Sequence, residues 1–190
     1  MERLNTIGVF CGSRIGLDPE YREAAVELGC LMGKRGIRLV YGGASVGLMG
    51  VLADSVLECN GQVIGVIPET LQEKEIAHSR LTELRVVSSM HERKAMMEDL
   101  SQGFIALPGG IGTLEEIFEI LTWAQLGLHQ KPSGFLNTAG YYDGLMSFLT
   151  TMGEQGFLRD VFASRLLLED QPTVLLDALS VAMEDGFEDA

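Results

Sequence analysis

Residues 104–116, FIALPGGIGTLEE, hold the groups that an anion site needs. The apolar run Phe104-Ile105-Ala106-Leu107 is long enough for a buried strand. Pro108, Gly109 and Gly110 break it, Gly112 turns the chain again, and Thr113 heads an apolar-periodic segment that reads as a helix to about Leu126. Backbone N–H groups at a helix start lack intrahelical acceptors, and the helix dipole favours negative charge there. Glycines let the backbone approach a phosphate with no Cβ in the way. The Thr113 hydroxyl could cap the helix or donate to a phosphate oxygen. Glu115 and Glu116 fall within the expected first turn, about 100° apart around the axis, so they cannot face one ligand in the same way. Favourable helix-start charge alone would account for Glu115.

Other groups with chemical potential are fewer. Met90-His91-Glu92-Arg93-Lys94 offers an apolar anchor and three basic side chains, although its spacing suits a solvated helix start. Two more glycine turns, 12-GSRIG-16 and 42-GGASVGLMG-50, follow apolar runs. Neither is a G-x-G-x-x-G or a Walker sequence, so a standard NAD site or P-loop NTPase is unsupported. The first of them would serve equally as plain strand-to-helix punctuation. His78 and His129 have no Ser or Cys in a triad-like context and read as surface or packing histidines. No His/Cys/Asp cluster has metal spacing, so neither metal nor cofactor is expected. Met96, Met97, Met146 and Met152 read as core.

These groups must be placed by an alternation of strands and helices. Strands are expected at residues 6–11, 37–41, 62–67, 84–87, 104–107, 133–136 and 166–168. Between them fall helices at 21–36, 48–58, 90–102, 113–126, 142–152 and 172–183, with a polar, irregular stretch at 69–84. Asp18-Pro19-Glu20 supplies a cap, a first-turn proline and an acid for the first helix. The pattern predicts a Rossmann-like, doubly wound α/β fold: a mostly parallel sheet with helices on both faces. Its ligands sit beyond the carboxyl ends of the strands, where the three glycine turns should converge. The chain of 190 residues reads as one nucleotide-binding domain, with residues 184–190 a frayed acidic tail.

With 14 basic and 27 acidic residues the net charge is −13, which argues against nucleic-acid or anionic-membrane partners. Local amides and an arginine or two can still bind a small phosphate at short range. Cys11, Cys30 and Cys59 lie in or beside apolar segments and read as reduced core residues of a cytoplasmic protein. MERLNTIGVF shows no signal-peptide apolar region, and no apolar run approaches the ~20 residues of a membrane span.

Taken together, the sequences 11-CGSRIG-16, 41-YGGASVGLMG-50, 66-VIPETL-71, 90-MHERK-94, 108-PGGIGTLEE-116, 122-TWAQLGLHQKP-132 and 137-NTAGYYDGL-145 resemble the LOG ("Lonely guy") family over nearly the whole chain. These are cytokinin riboside 5′-monophosphate phosphoribohydrolases, often mislabelled lysine decarboxylases. The resemblance implies a homodimer that hydrolyses the N-glycosidic bond of a cytokinin-type or adenine nucleoside 5′-monophosphate to free base and ribose 5-phosphate. It places the catalytic pair on Arg93 and Glu116. It places substrate contacts on Glu75, Arg93, Lys94, Gly110, Ile111, Gly112, Thr113, Leu114, Glu115, Glu116 and Thr122. Ile111 stands where the family often has Tyr, and Lys74 where Arg is common. Molybdenum-cofactor carriers share the glycine framework, so a non-hydrolytic nucleotide or cofactor carrier is the alternative expectation. A pyridoxal-phosphate decarboxylase has little support, because none of Lys34, Lys74, Lys94 and Lys131 sits in a recognisable context for that cofactor.

Overall fold

The computed structural model describes residues 4–72, 77–158 and 166–185. Seven strands form one sheet: β1 (Thr6–Phe10), β2 (Arg38–Tyr41), β3 (Val63–Pro68), β4 (Glu83–Val87), β5 (Gly103–Ala106), β6 (Ser133–Leu136) and β7 (Leu166–Glu169). Their order is β4-β3-β2-β1-β5-β6-β7, and every pairing is parallel. β2, β3, β5 and β6 are buried nearly throughout, as strands covered on both faces must be. The doubly wound expectation therefore holds, with a sheet that is wholly rather than mostly parallel among the described residues.

The helices are α1 (Pro19–Arg35), α2 (Gly47–Glu58), the single turn α3 (Glu69–Gln72), α4 (Met90–Leu100), α5 (Ile111–Gln125), α6 (Asp143–Glu154) and α7 (Pro172–Asp185). α1 starts as its sequence dictates. Asp18 Oδ1 accepts from the Glu20 amide at 3.0 Å, Pro19 occupies the first turn, and Gly36 ends the helix at φ 71°. α7 runs through Asp185, so Glu184 and Asp185 are helical rather than part of a frayed tail; residues 186–190 lie outside the described residues.

Two apolar cores flank the sheet. Leu28, Met32, Leu52, Val56, Leu175 and Leu179 pack α1, α2 and α7 on one face. Met97, Phe104, Ile117, Ile120, Phe135 and Tyr142 pack α4 and α5 on the other. On the first face α1 and α2 approach closely because Gly33 is bare: a Cβ there would lie 2.8 Å from the Cys59 carbonyl oxygen. That approach brings Cys30 and Cys59 to a Cα–Cα distance of 5.2 Å, and they are joined as a disulfide. The reduced-thiol reading was thus wrong for Cys30 and Cys59, because it came from apolar context and could not see two helices meeting 29 residues apart. Cys11 is a free, buried thiol.

Chain direction changes sides between β1 and β5, whose register runs from Ile7 opposite Gly103 to Phe10 opposite Ala106. The loops leaving these two strands diverge to opposite faces and leave a crevice, the position where open α/β sheets bind ligands.

Candidate functional site

Three glycine turns meet at that crevice. The Gly12 amide donates to the Pro108 carbonyl at 3.1 Å, and the Leu48 amide donates to the Gly12 carbonyl at 3.0 Å. Between them lies a cleft of about 430 Å³, whose walls include residues 12–16, Tyr21, Leu48, residues 108–110 and Tyr141. The Tyr141 hydroxyl donates to the Gly109 carbonyl at 2.5 Å, and the Tyr142 hydroxyl to the Leu107 carbonyl at 2.6 Å. Both tyrosines therefore brace the strand-to-helix turn from below. Burial first, then the neighbouring Tyr141, pushes the Tyr142 phenol above its ordinary range, which keeps it a donor.

α5 begins at Ile111 with Gly110 as its extended N-cap residue and no side-chain cap. Thr113 is therefore the third helical residue and not the cap. It is buried, seated against Gly109 where any Cβ would overlap its hydroxyl. Glu115 and Glu116 accordingly fall in the second turn, so the helix-start explanation for their charge does not apply. What holds them is α4. Ser89 caps that helix, its Oγ accepting from the Glu92 amide at 3.1 Å. The next residues, Arg93 and Lys94, are buried, at 5% and 7% exposure, where the sequence suggested a solvated face.

The two bases take different acids. Arg93 Nη2 lies 3.5 Å from Glu116 Oε1, with both side chains largely buried. Lys94 Nζ lies 2.5 Å from Glu115 and 3.0 Å from Glu119. Burial works against the charged form of Lys94, but the two carboxylates outweigh it and hold the ammonium above its usual range. Arg93 also reaches the Met90 sulfur at 3.8 Å, while its Nε–H is buried without an acceptor among the described residues. Its guanidinium rests against Gly42, where a Cβ would overlap Nη2. Cys11 completes the neighbourhood. Burial first, then the Glu116 charge, pushes its thiol well up, so it stays protonated and is no nucleophile.

Of the residues expected at the site, Arg93, Glu116, Lys94, Glu115 and residues 110–114 gather where α4 meets the start of α5. Ile111 is 82% exposed at the first position of α5, and Leu114 packs partly into the core beneath. Thr122 lies two turns along, on the stripe of Glu115 and Glu119, exposed, with its hydroxyl donating to the Phe118 carbonyl at 2.6 Å. It does not reach the Arg93–Glu116 pair. Glu75 and Lys74 lie outside the described residues. His78 bonds Asp54 at 3.0 Å and His129 bonds the Ile120 carbonyl at 3.0 Å, so both are packing histidines. No group of metal-binding side chains occurs among the described residues. Sequence reasoning missed Gly42 as the seat of Arg93 and the two tyrosines under the turn. The only signals were the glycine after β2 and the Tyr141-Tyr142 pair.

Fold and site together define a doubly wound α/β protein with an uncapped glycine turn at its switch point and a buried Arg–Glu pair beside it. Residues 49–179 match the family described as "Possible lysine decarboxylase". The chain is 51% identical over 156 residues to the cytokinin riboside 5′-monophosphate phosphoribohydrolase LOG1 of Arabidopsis thaliana, covering 82% of this chain and 73% of that one. It is 48% identical over 171 residues to the rice (Oryza sativa subsp. japonica) phosphoribohydrolase LOG, covering 90% and 70%. The chain belongs to this LOG family. Among solved structures, a molybdenum cofactor carrier protein of Chlamydomonas reinhardtii superposes with a TM-score of 0.73 at 21% identity, covering 96% of this chain and 99% of that one. A molybdenum cofactor binding protein of Rippkaea orientalis gives 0.70 at 22%, covering 95% and 98%. At that identity the likeness concerns the fold alone.

Proposed function

We propose that this protein is a nucleoside 5′-monophosphate phosphoribohydrolase. It would hydrolyse the N-glycosidic bond of a cytokinin-type or adenine nucleotide to free base and ribose 5-phosphate. The observation that carries the reading is the buried Arg93–Glu116 pair, 3.5 Å apart, beside the uncapped glycine start of α5. Its relatives at about 50% identity carry the same activity in their names.

The chemistry follows from what each group can do. Breaking the bond from C1′ to the base nitrogen builds positive charge on the ribose, and an adjacent carboxylate stabilises it. Glu116 supplies that carboxylate and orients the water whose oxygen bonds to C1′. One water proton ends on the departing base and the hydroxyl stays on C1′. A guanidinium is no general base, so the part of Arg93 is a different one. It fixes Glu116 and holds ribose oxygens. The free amides of residues 110–113 take the 5′-phosphate, and that remote binding energy positions the sugar. Lys94 holds Glu115 and Glu119 and thereby locks α4 to α5. As a buried ammonium it is a poor Schiff-base nucleophile, which counts against decarboxylase chemistry. Glu75 and Thr122 complete the proposed substrate contacts. The proposal extends to a homodimer, supported by the exposed Leu126 and Leu128 after α5, for which sedimentation is the check. It also extends to a single domain over residues 1–190 and to a cytoplasmic location. Cell fractionation is the check on that location.

The test is incubation of purified protein with AMP, isopentenyladenosine monophosphate, other monophosphates and the matching nucleosides. Base and ribose 5-phosphate should appear from monophosphates only. Glu116→Gln should keep nucleotide binding and lose about 10²- to 10⁴-fold in kcat. Wild-type turnover in that variant removes Glu116 from the mechanism. Binding without cleavage in the wild-type protein would make it a carrier.

A further inference from the structure

A nucleotide phosphate must bind a chain of net charge −13, and the basic groups already described are engaged elsewhere. Arg93 faces Glu116, and Lys94 faces Glu115 and Glu119. Arg14 differs. It lines the 430 Å³ cleft together with Gly109 and Gly110, is exposed, and has no hydrogen bond or ion pair among the described residues.

Its backbone is nevertheless fixed. Gly12 is tied to Pro108 and Leu48 to Gly12, and the bare face of Gly47 presses on the Ser13–Arg14 peptide, where any Cβ would overlap. Gly16 closes the loop against the Tyr21 ring, 2.7 Å from where its Cβ would be. A rigid loop thus carries an uncommitted guanidinium on a flexible stem, at the wall shared with the start of α5. Such a fork suits bidentate capture of phosphate oxygens.

We propose that Arg14 is the side-chain cation that binds the substrate's 5′-phosphate, closing over it from the loop after β1, and that it sets the preference for monophosphates over nucleosides. This rests on the phosphoribohydrolase reading. Arg14 is a binding residue and takes no part in bond breaking.

The test compares wild type, Arg14→Ala, Arg14→Lys and Arg22→Ala, the last removing the same charge from exposed α1 outside the cleft wall. KM and kcat are measured with AMP, and the dissociation constant of ribose 5-phosphate by calorimetry. Arg14→Ala should raise both KM and the ribose 5-phosphate constant about ten- to a hundredfold, with kcat within about threefold. Lysine should restore part of the affinity, and Arg22→Ala should change neither constant beyond about twofold. Unchanged ribose 5-phosphate binding in Arg14→Ala overturns the assignment. An equal loss in Arg22→Ala also overturns it, because the effect would then be the overall field. If wild type cleaves no nucleotide yet ribose 5-phosphate binding depends on Arg14, the hydrolase reading fails and the phosphate contact stands.

Discussion

The junctions β2–α2 and β5–α5 look alike in sequence, 42-GGASVG-47 and 109-GGIG-112, each a glycine turn after a buried strand. Their glycines serve opposite ends. At the first, the space a Cβ would need is filled by protein: Gly42 by the Arg93 guanidinium, Gly47 by the Ser13–Arg14 backbone, Gly50 by the Ser45 carbonyl. At the second, a Cβ on Gly110 or Gly112 would meet no described atom within 4 Å. One junction is filled by side chains and backbone from elsewhere in the fold; at the other, Gly109 packs on Thr113 but Gly110 and Gly112 stay bare. Glycine in sequence marks close approach, but only packing says whether protein or ligand makes it.

Substitution by alanine separates the two roles. Gly42→Ala should have the largest effect, since the added methyl displaces Arg93. A shift of about 1 Å in a catalytic group can cost about 10²-fold in kcat, and overpacking costs about 1–3 kcal/mol of stability. Steady-state kinetics and a thermal melt on the same variant report both.

Gly47→Ala should come next. At φ 58° it adds backbone strain to the overlap with Ser13, so stability should fall by about 1–3 kcal/mol. Nucleotide KM should rise as the loop carrying Arg14 moves, with kcat less affected than in Gly42→Ala.

Gly110→Ala should leave the melting temperature nearly unchanged while KM for AMP rises about tenfold, because its methyl would meet only the ligand. A loss of stability as large as that of Gly42→Ala would break the contrast between the junctions.

Gly112→Ala is the smallest and has a distinctive sign. The residue is the second of α5, so alanine should stabilise the fold by about 0.5–1 kcal/mol through helix propensity. A melt that rises while KM worsens would sharpen the comparison; one that falls would mean that Gly112 packs against protein.

Much of this was legible in the chain itself. Strand and helix order, the capped start of α1 at Asp18-Pro19 and the convergence of three glycine turns all follow from local signals, because alternation, caps and breakers act within a few residues. Local signals did not pair Arg93 with Glu116; the LOG resemblance implied that pair, and the two side chains lie 3.5 Å apart. Local signals misled where the outcome depended on a distant neighbour. Thr113 looked like a cap, but α5 starts two residues earlier with Gly110 in the extended N-cap position. Glu115 looked like a helix-start acid and is the partner of Lys94, twenty-one positions away.

By itself, then, the sequence determined the α/β class, the element order and the family, since each is written in short-range pattern or in motif. Only the tertiary structure decided which base meets which acid, that Gly42 seats Arg93, that Cys30 meets Cys59, and which glycine junction stays bare. Those are contacts between elements far apart in the chain, fixed by how two helices pack against one sheet.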